Sequence, residues 1–128
     1  MNVNKNLIEH AQKARENAYA PYSNYLVGAA LLLDNGEIIE GVNIENASYG
    51  GAICAERSAI AAAVSKGFRK FKAIAVVTES DPPAAPCGFC RQILAEFAPN
   101  LHVILANTKG QVIETNLSIL LPLQFRLK

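Results

Sequence analysis

An α/β fold built on a mixed five-stranded sheet with helices on both faces is what the order of apolar patterns predicts. Three observations carry this expectation. An Asn35-Gly36 pair lies between two apolar runs and marks an early antiparallel hairpin. Beyond it, strand and helix patterns alternate, which asks for parallel pairing in the later part of the sheet. Finally, 128 residues with a hydrophobic fraction of 51% can bury a core as one domain spanning 1–128 without disulfide staples.

Taken in order, Leu7, Ile8, Ala11, Ala14 and Ala18 recur at helical spacing, so Lys5–Ala18 is expected as an amphipathic helix with Asn4 available as its cap. Ala20-Pro21-Tyr22-Ser23-Asn24 breaks it. Val27–Leu33 is the first strand, and Glu37–Asn43 returns after a turn whose two central residues are expected to accept positive φ. Ile44–Ile53 is expected as loop. Ala59, Ile60, Ala63 and Val64 mark one face of a helix from near Cys54 to before Gly67, and Lys72–Thr78 is a buried strand. Asp81–Pro86 is a rigid loop that leads into a helix from Cys87 to Phe97. Leu101–Ala106 and Gln111–Thr115 are strands joined by a turn at Lys109-Gly110, and Asn116 caps a brief helix that ends before Pro122.

Composition excludes several classes. A hydrophobic fraction of 51% with only 18% charged residues is not that of a disordered chain. The formal net charge of +1 exerts no global pull on nucleic acid or on an anionic membrane, and Arg69-Lys70-Phe71-Lys72 reads as solvated surface. Met1–Lys13 lacks the apolar stretch of a secretory signal, and Val27–Leu33 is too short to span a bilayer. Three cysteines, two of them at metal-like spacing, suit a reducing compartment better than a disulfide framework, so a cytoplasmic location is expected.

All three cysteines fall in two motifs, Cys54-Ala55-Glu56-Arg57 and Pro86-Cys87-Gly88-Phe89-Cys90. The spacing of Cys87 and Cys90 puts both sulfurs on one side of a first helical turn. With Cys54 they make three thiolate ligands, which leaves a tetrahedral Zn²⁺ one position short, as in a catalytic rather than a structural site. Glu56 is then a candidate proton carrier beside the open position. Both motifs stand at expected helix N-termini, where free N–H groups and the helix dipole favour thiolate over thiol. Three thiolates leave the centre negative, so a nearby positive charge is needed to support it. Arg57 is one candidate for that charge, and Arg91 is the other. Two non-catalytic readings stand beside this one. Cys87 and Cys90 have the spacing of a redox dithiol, against which the third cysteine argues. A closed structural zinc would need a fourth protein ligand, and the only histidines, His10 and His102, lie in an expected helix and strand.

The two zinc motifs resemble those of the zinc deaminases, with Cys54 where many of those enzymes carry histidine. The chain as a whole is similar to the small cytidine deaminases that use three cysteines. The likeness extends through Ala20-Pro21-Tyr22-Ser23, Val27-Gly28-Ala29-Ala30, Asn43-Ile44-Glu45-Asn46-Ala47, Cys90-Arg91-Gln92 and Leu120-Leu121-Pro122. The resemblance implies the three-layer cytidine-deaminase-like fold, with one Zn²⁺ per chain on Cys54, Cys87 and Cys90. It implies hydrolytic deamination of cytidine and 2'-deoxycytidine to uridine and 2'-deoxyuridine in pyrimidine salvage. Glu56 would carry protons between the attacking water, ring N3 and the departing amine, with the backbone at Ala55 helping to fix the base. Asn43 and Glu45 would read ribose hydroxyls, although on the residues alone loop capping after a strand is the preferred reading. Tyr25 stands at the aromatic position that packs against the pyrimidine. Ala47, Tyr49 and Phe125 would reach a neighbouring subunit's site in a homotetramer.

Three departures bear on substrate preference and on the fit of the base pocket. Tyr25 replaces a usual phenylalanine, Leu26 a common proline, and Phe89 a usual alanine. A related activity, on another cytosine nucleoside such as a nucleoside antibiotic, has the same motif requirements.

Overall fold

The hairpin at the start of the sheet pairs β1 (Gly28–Leu33) with β2 (Ile38–Val42), with Leu32 opposite Ile38. Its turn differs from the expected one. Gly36 alone has positive φ, at 95°, and its N–H donates to the Leu33 carbonyl, so Asp34-Asn35-Gly36 forms a three-residue loop. The Asn35 side chain accepts from the Glu37 N–H at 2.9 Å, which supports the turn with one left-handed residue, Gly36, in place of the two that a type I′ connection needs.

The computed structural model describes residues 3–127. The remaining elements are α1 (Val3–Arg15), α2 (Ala55–Ser65), β3 (Phe71–Thr78), α3 (Gly88–Phe97), β4 (His102–Asn107), β5 (Val112–Asn116) and α4 (Leu117–Leu120). The first helix lies nearer the N-terminus than expected. Asn4 is therefore inside its first turn rather than capping it, and its amide donates to Glu114 on β5 at 2.8 Å. At the other end the helix stops at Arg15, short of Ala18. Asn116 does cap the last helix, accepting from the Ile119 N–H at 3.0 Å.

The sheet order is β2-β1-β3-β4-β5. Among the strands of the described residues, β3 and β4 are the one parallel pair; β1 pairs antiparallel with both β2 and β3, and β4 pairs antiparallel with β5. Parallel pairing in the later sheet is thus confined to the strands joined by α3. The connection from β4 to β5 is a tight turn closed by Gly110, too short for the crossover a parallel neighbour requires. Ile44–Ile53, expected as plain loop, contains bridges from Ile44 to Tyr19 and Ile53, with a 3-10 turn at Tyr49–Gly51.

Alternation along the strands divides the core into two layers. Ala30, Ala73, Ala75, Val77, Ile104 and Ala106 meet Leu7 and Ala11 of α1 on one face. Leu31, Ile74, Val76, Val103 and Leu105 meet α2 and the apolar residues of α3 on the other, with Leu117 of α4. This arrangement matches the expected helices on both faces. Small residues set the closest approaches. A Cβ at Gly41 on β2 would lie 2.4 Å from the Ala55 carbonyl and 2.5 Å from the Ala59 amide, so the start of α2 rests directly on the strand backbone.

That contact is backbone to backbone and cannot be relieved by a rotamer change. Gly41→Ala is expected to destabilise the protein by about 1–3 kcal/mol through overpacking. Urea denaturation measures it; an unchanged midpoint would show that α2 can move away freely.

Candidate active site

Cys54 and Cys87 are the N-cap residues of α2 and α3, and Cys90 lies in the first turn of α3. Both caps have extended backbone, which turns each chain into its helix with the sulfur at the N-terminal end. The Cys90 amide donates to the Cys87 sulfur at 3.5 Å, so the helix end itself solvates a ligand atom. The three Sγ atoms lie within 4.8 Å of one another, with Cys90 buried, Cys54 half-buried and Cys87 exposed. Ligands at the zinc–sulfur distance on a tetrahedron stand about 3.8 Å apart, so the donor set fits one Zn²⁺ with a small closure. Neither histidine joins the group. His10 pairs with Glu40 at 2.9 Å and His102 with Glu114 at 3.2 Å.

The same crowding sets the acidity of the thiols. Cys54 is lowered to about 6, chiefly by a hydrogen bond from Cys90, with burial opposing and with Cys87 and the Arg57 charge adding to the effect. Cys90 is pushed up, because it donates to Cys54 and is buried beside Glu56 and a neighbouring thiolate. One thiolate is solvated by its neighbours, while further ionisation calls for a cation.

Glu56, in the first turn of α2, is 5% exposed and stands outside the sulfur trio. Burial raises its carboxyl to about 7; its own backbone N–H opposes this, and the charge at Cys54 adds to it. The carboxyl lines a cavity of about 320 Å³ together with Tyr25, Asn43, Glu45, Cys54, Ala55 and Cys87. This volume is of small-molecule size. Val76 and Thr78 bring the end of β3 to the same space.

Residues 1–106 match the family model for the cytidine and deoxycytidylate deaminase zinc-binding region. The chain belongs to this family. The cytidine deaminase of Sporosarcina psychrophila is 52% identical across 95% of this chain and 90% of that protein. The crystal structure of cytidine deaminase from Burkholderia pseudomallei superposes with a TM-score of 0.94 at 51% identity, covering 98% of this chain and 100% of that one. The blasticidin-S deaminase of Bacillus cereus is also similar, at 31% identity across 97% of this chain and 95% of that protein.

Within this deaminase fold, Asn43 and Glu45 already hold the loop before β1. Asn43 accepts from the Val27 amide at 2.9 Å and donates to the Tyr25 carbonyl at 2.8 Å. Glu45 accepts from the amides of Tyr22 and Ser23 and from the Ser23 hydroxyl, and that hydroxyl leads the contacts that hold its carboxyl below the usual range. The Tyr25 hydroxyl shares a hydrogen bond with that of Ser80. Arg91 donates to the carbonyls of Pro86 and Leu120, each at 2.7 Å, whereas the Arg57 charge acts on Cys54.

Ala47, Tyr49 and Phe125 do not line the cavity of their own chain, and Tyr49 and Phe125 are exposed. The motifs alone did not single out Thr78, Ala84 or Ala85, which also line it. The available signal was positional, since ligands gather where a parallel strand ends at a crossover.

Burial of Glu56 also bears on stability. Its folded pKa is raised from 4.5 to about 7, so the penalty is absent below pH 4.5, grows through the window between these values and is complete above it. In protein stripped of metal, Glu56→Gln is expected to be more stable than the parent by about 3 kcal/mol above neutral pH. The difference should vanish in denaturation experiments at or below pH 4.5. A constant difference across pH would mean that the carboxyl is not desolvated.

Proposed function

We propose that this enzyme catalyses zinc-dependent hydrolytic deamination of cytidine and 2'-deoxycytidine, giving uridine and 2'-deoxyuridine. The observation that carries the reading is a three-sulfur group, two of whose members, Cys54 and Cys87, line a single cavity together with the buried Glu56. Zn²⁺ held by Cys54, Cys87 and Cys90 would supply a water-derived nucleophile at neutral pH. Glu56 acts as acid and base in turn: it accepts a proton from the attacking water and passes it to ring N3, then takes the second proton from the hydroxyl added at C4 and delivers it to the departing amine as the C4–N bond breaks and the C4 carbonyl forms. Its burial supports that role, because a carboxyl near neutral pKa both takes and returns protons.

Asn43 and Glu45 read the ribose hydroxyls with their remaining hydrogen-bonding capacity. An ionised carboxylate offers about four acceptor sites, and the loop occupies three. Tyr25 packs against the base, and the backbone at Ala55 helps to fix it. Arg57 supports the thiolates, since Arg91 is committed to backbone carbonyls.

The chain acts as a cytoplasmic homotetramer in which Ala47, Tyr49 and Phe125 complete a neighbour's pocket. Exposure of Tyr49 and Phe125 away from their own cavity supports this arrangement. Among the described residues no helix is long and apolar enough to cross a membrane. The formal net charge of +1 favours a free nucleoside over a polynucleotide. The higher identity to the Sporosarcina cytidine deaminase than to the blasticidin-S deaminase favours cytidine over a nucleoside antibiotic.

Turnover is measured from the absorbance change as cytidine becomes uridine, beside an antibiotic nucleoside and a short single-stranded oligonucleotide. Cytidine should be the preferred substrate, and preference for either competitor overturns the assignment. Glu56→Gln should lower cytidine turnover by about 10²–10⁴-fold with zinc content unchanged; full activity would remove Glu56 from the mechanism. Sedimentation should give a tetramer, and Phe125→Ala should raise KM several-fold. A fully active monomer would refute shared sites.

A further inference from the structure

Phe89 has no place in the proposed reaction, yet it stands between two cysteines of the sulfur group. It is the second residue of α3 and is 63% exposed, so its ring is not part of the core. The Arg57 guanidinium lies over its ring, 4.7 Å from the centroid, within the range of an attractive cation–π contact. Arg57 belongs to α2, so this contact joins the two helices whose N-termini carry the sulfurs. Arg57 has no other hydrogen bond or ion pair among the described residues. Arg91 is tied instead to the carbonyls of Pro86 and Leu120.

We propose that Phe89 is a positioning residue for the metal centre: its ring holds the Arg57 guanidinium beside the sulfur group and staples α2 to α3 at the point where they share the ion. A long arginine side chain has many rotamers, and a flat ring beneath it favours the few that keep the charge close to the sulfurs. The ring itself binds neither metal nor substrate. Its effect should therefore appear in how tightly zinc is retained, and only through Arg57. The inference rests on the proposed zinc site.

The test compares zinc affinity in the parent protein, Phe89→Leu, Phe89→Trp, Arg57→Gln and the Phe89→Leu/Arg57→Gln double variant. Affinity is measured by competition with a chromogenic chelator, using zinc as the probe. Phe89→Leu should weaken retention about two- to fivefold, the range of an exposed cation–π contact. Phe89→Trp, which restores an aromatic face, should return it to the parent value. With Arg57 already replaced, Phe89→Leu should have no further effect. Equal affinity in Phe89→Leu and the parent, failure of tryptophan to restore it, or additive losses in the double variant would each overturn the proposal. Because Phe89 is mostly exposed, its variants should fold, and the leucine–tryptophan comparison decides the matter even if Arg57→Gln does not. Zinc competition is independent of turnover, so a parent protein that bound zinc but left cytidine unchanged would refute the proposed reaction and leave this test intact.

Discussion

Three sulfurs from two separate stretches of chain must converge within 4.8 Å, and much of the architecture serves that convergence. Each sulfur lies at or just inside a helix N-terminus, where backbone N–H groups have no helical partner and electron-rich atoms are welcome. Bringing two such termini together would set like dipole ends against each other if nothing negative lay between them. The thiolates supply that negative charge, and a divalent cation relieves the repulsion among the thiolates. The site is therefore an alternation of partial charges, with each layer making the next acceptable.

The sheet provides the rigid surface on which this alternation is assembled. The start of α2 rests on Gly41, and α3 follows β3, whose end reaches the cavity through Val76 and Thr78. Small residues on the opposite face let α1 sit close, so the central strands are buried on both sides. A site whose ligands share a few ångströms tolerates little displacement of its helices, and backbone-to-backbone packing at Gly41 limits the movement of α2.

Polar residues around the cavity have two duties. Asn43 and Glu45 hold the Tyr22–Val27 segment with side-chain hydrogen bonds while facing the cavity. A group already bonded on one side has fewer rotamers available, so its remaining hydrogen-bonding capacity is preorganised for a ligand. The loop-capping and ligand-reading interpretations of these residues are thus compatible. Tyr25 follows the same logic, because the hydroxyl that a phenylalanine would lack is satisfied by Ser80.

Much of this was legible in the linear chain, for reasons tied to particular residues. Cys54, Cys87 and Cys90 stood out because metal coordination constrains residue type and spacing locally, and the apolar periods around Leu31, Ile74 and Ile104 revealed the strands that form the core. Local chemistry alone could not settle the Asp34-Asn35-Gly36 turn, where Gly36 alone is left-handed and Asn35 contributes a side-chain bond, or the role of Asn4, whose partner Glu114 is remote in sequence. Nor could it distinguish Arg57 from Arg91, because both lie within a few residues of a cysteine; their directions and partners follow from helix packing. The sequence by itself determined which atoms can bind a metal and which segments repeat with helical or strand period, since these properties belong to neighbours along the chain. Only the tertiary structure decided where the second thiolate-bearing helix stands, that Arg91 is tied to backbone carbonyls while Arg57 lies over the Phe89 ring, and how deeply Glu56 is buried, because distance and dielectric depend on elements far apart in sequence.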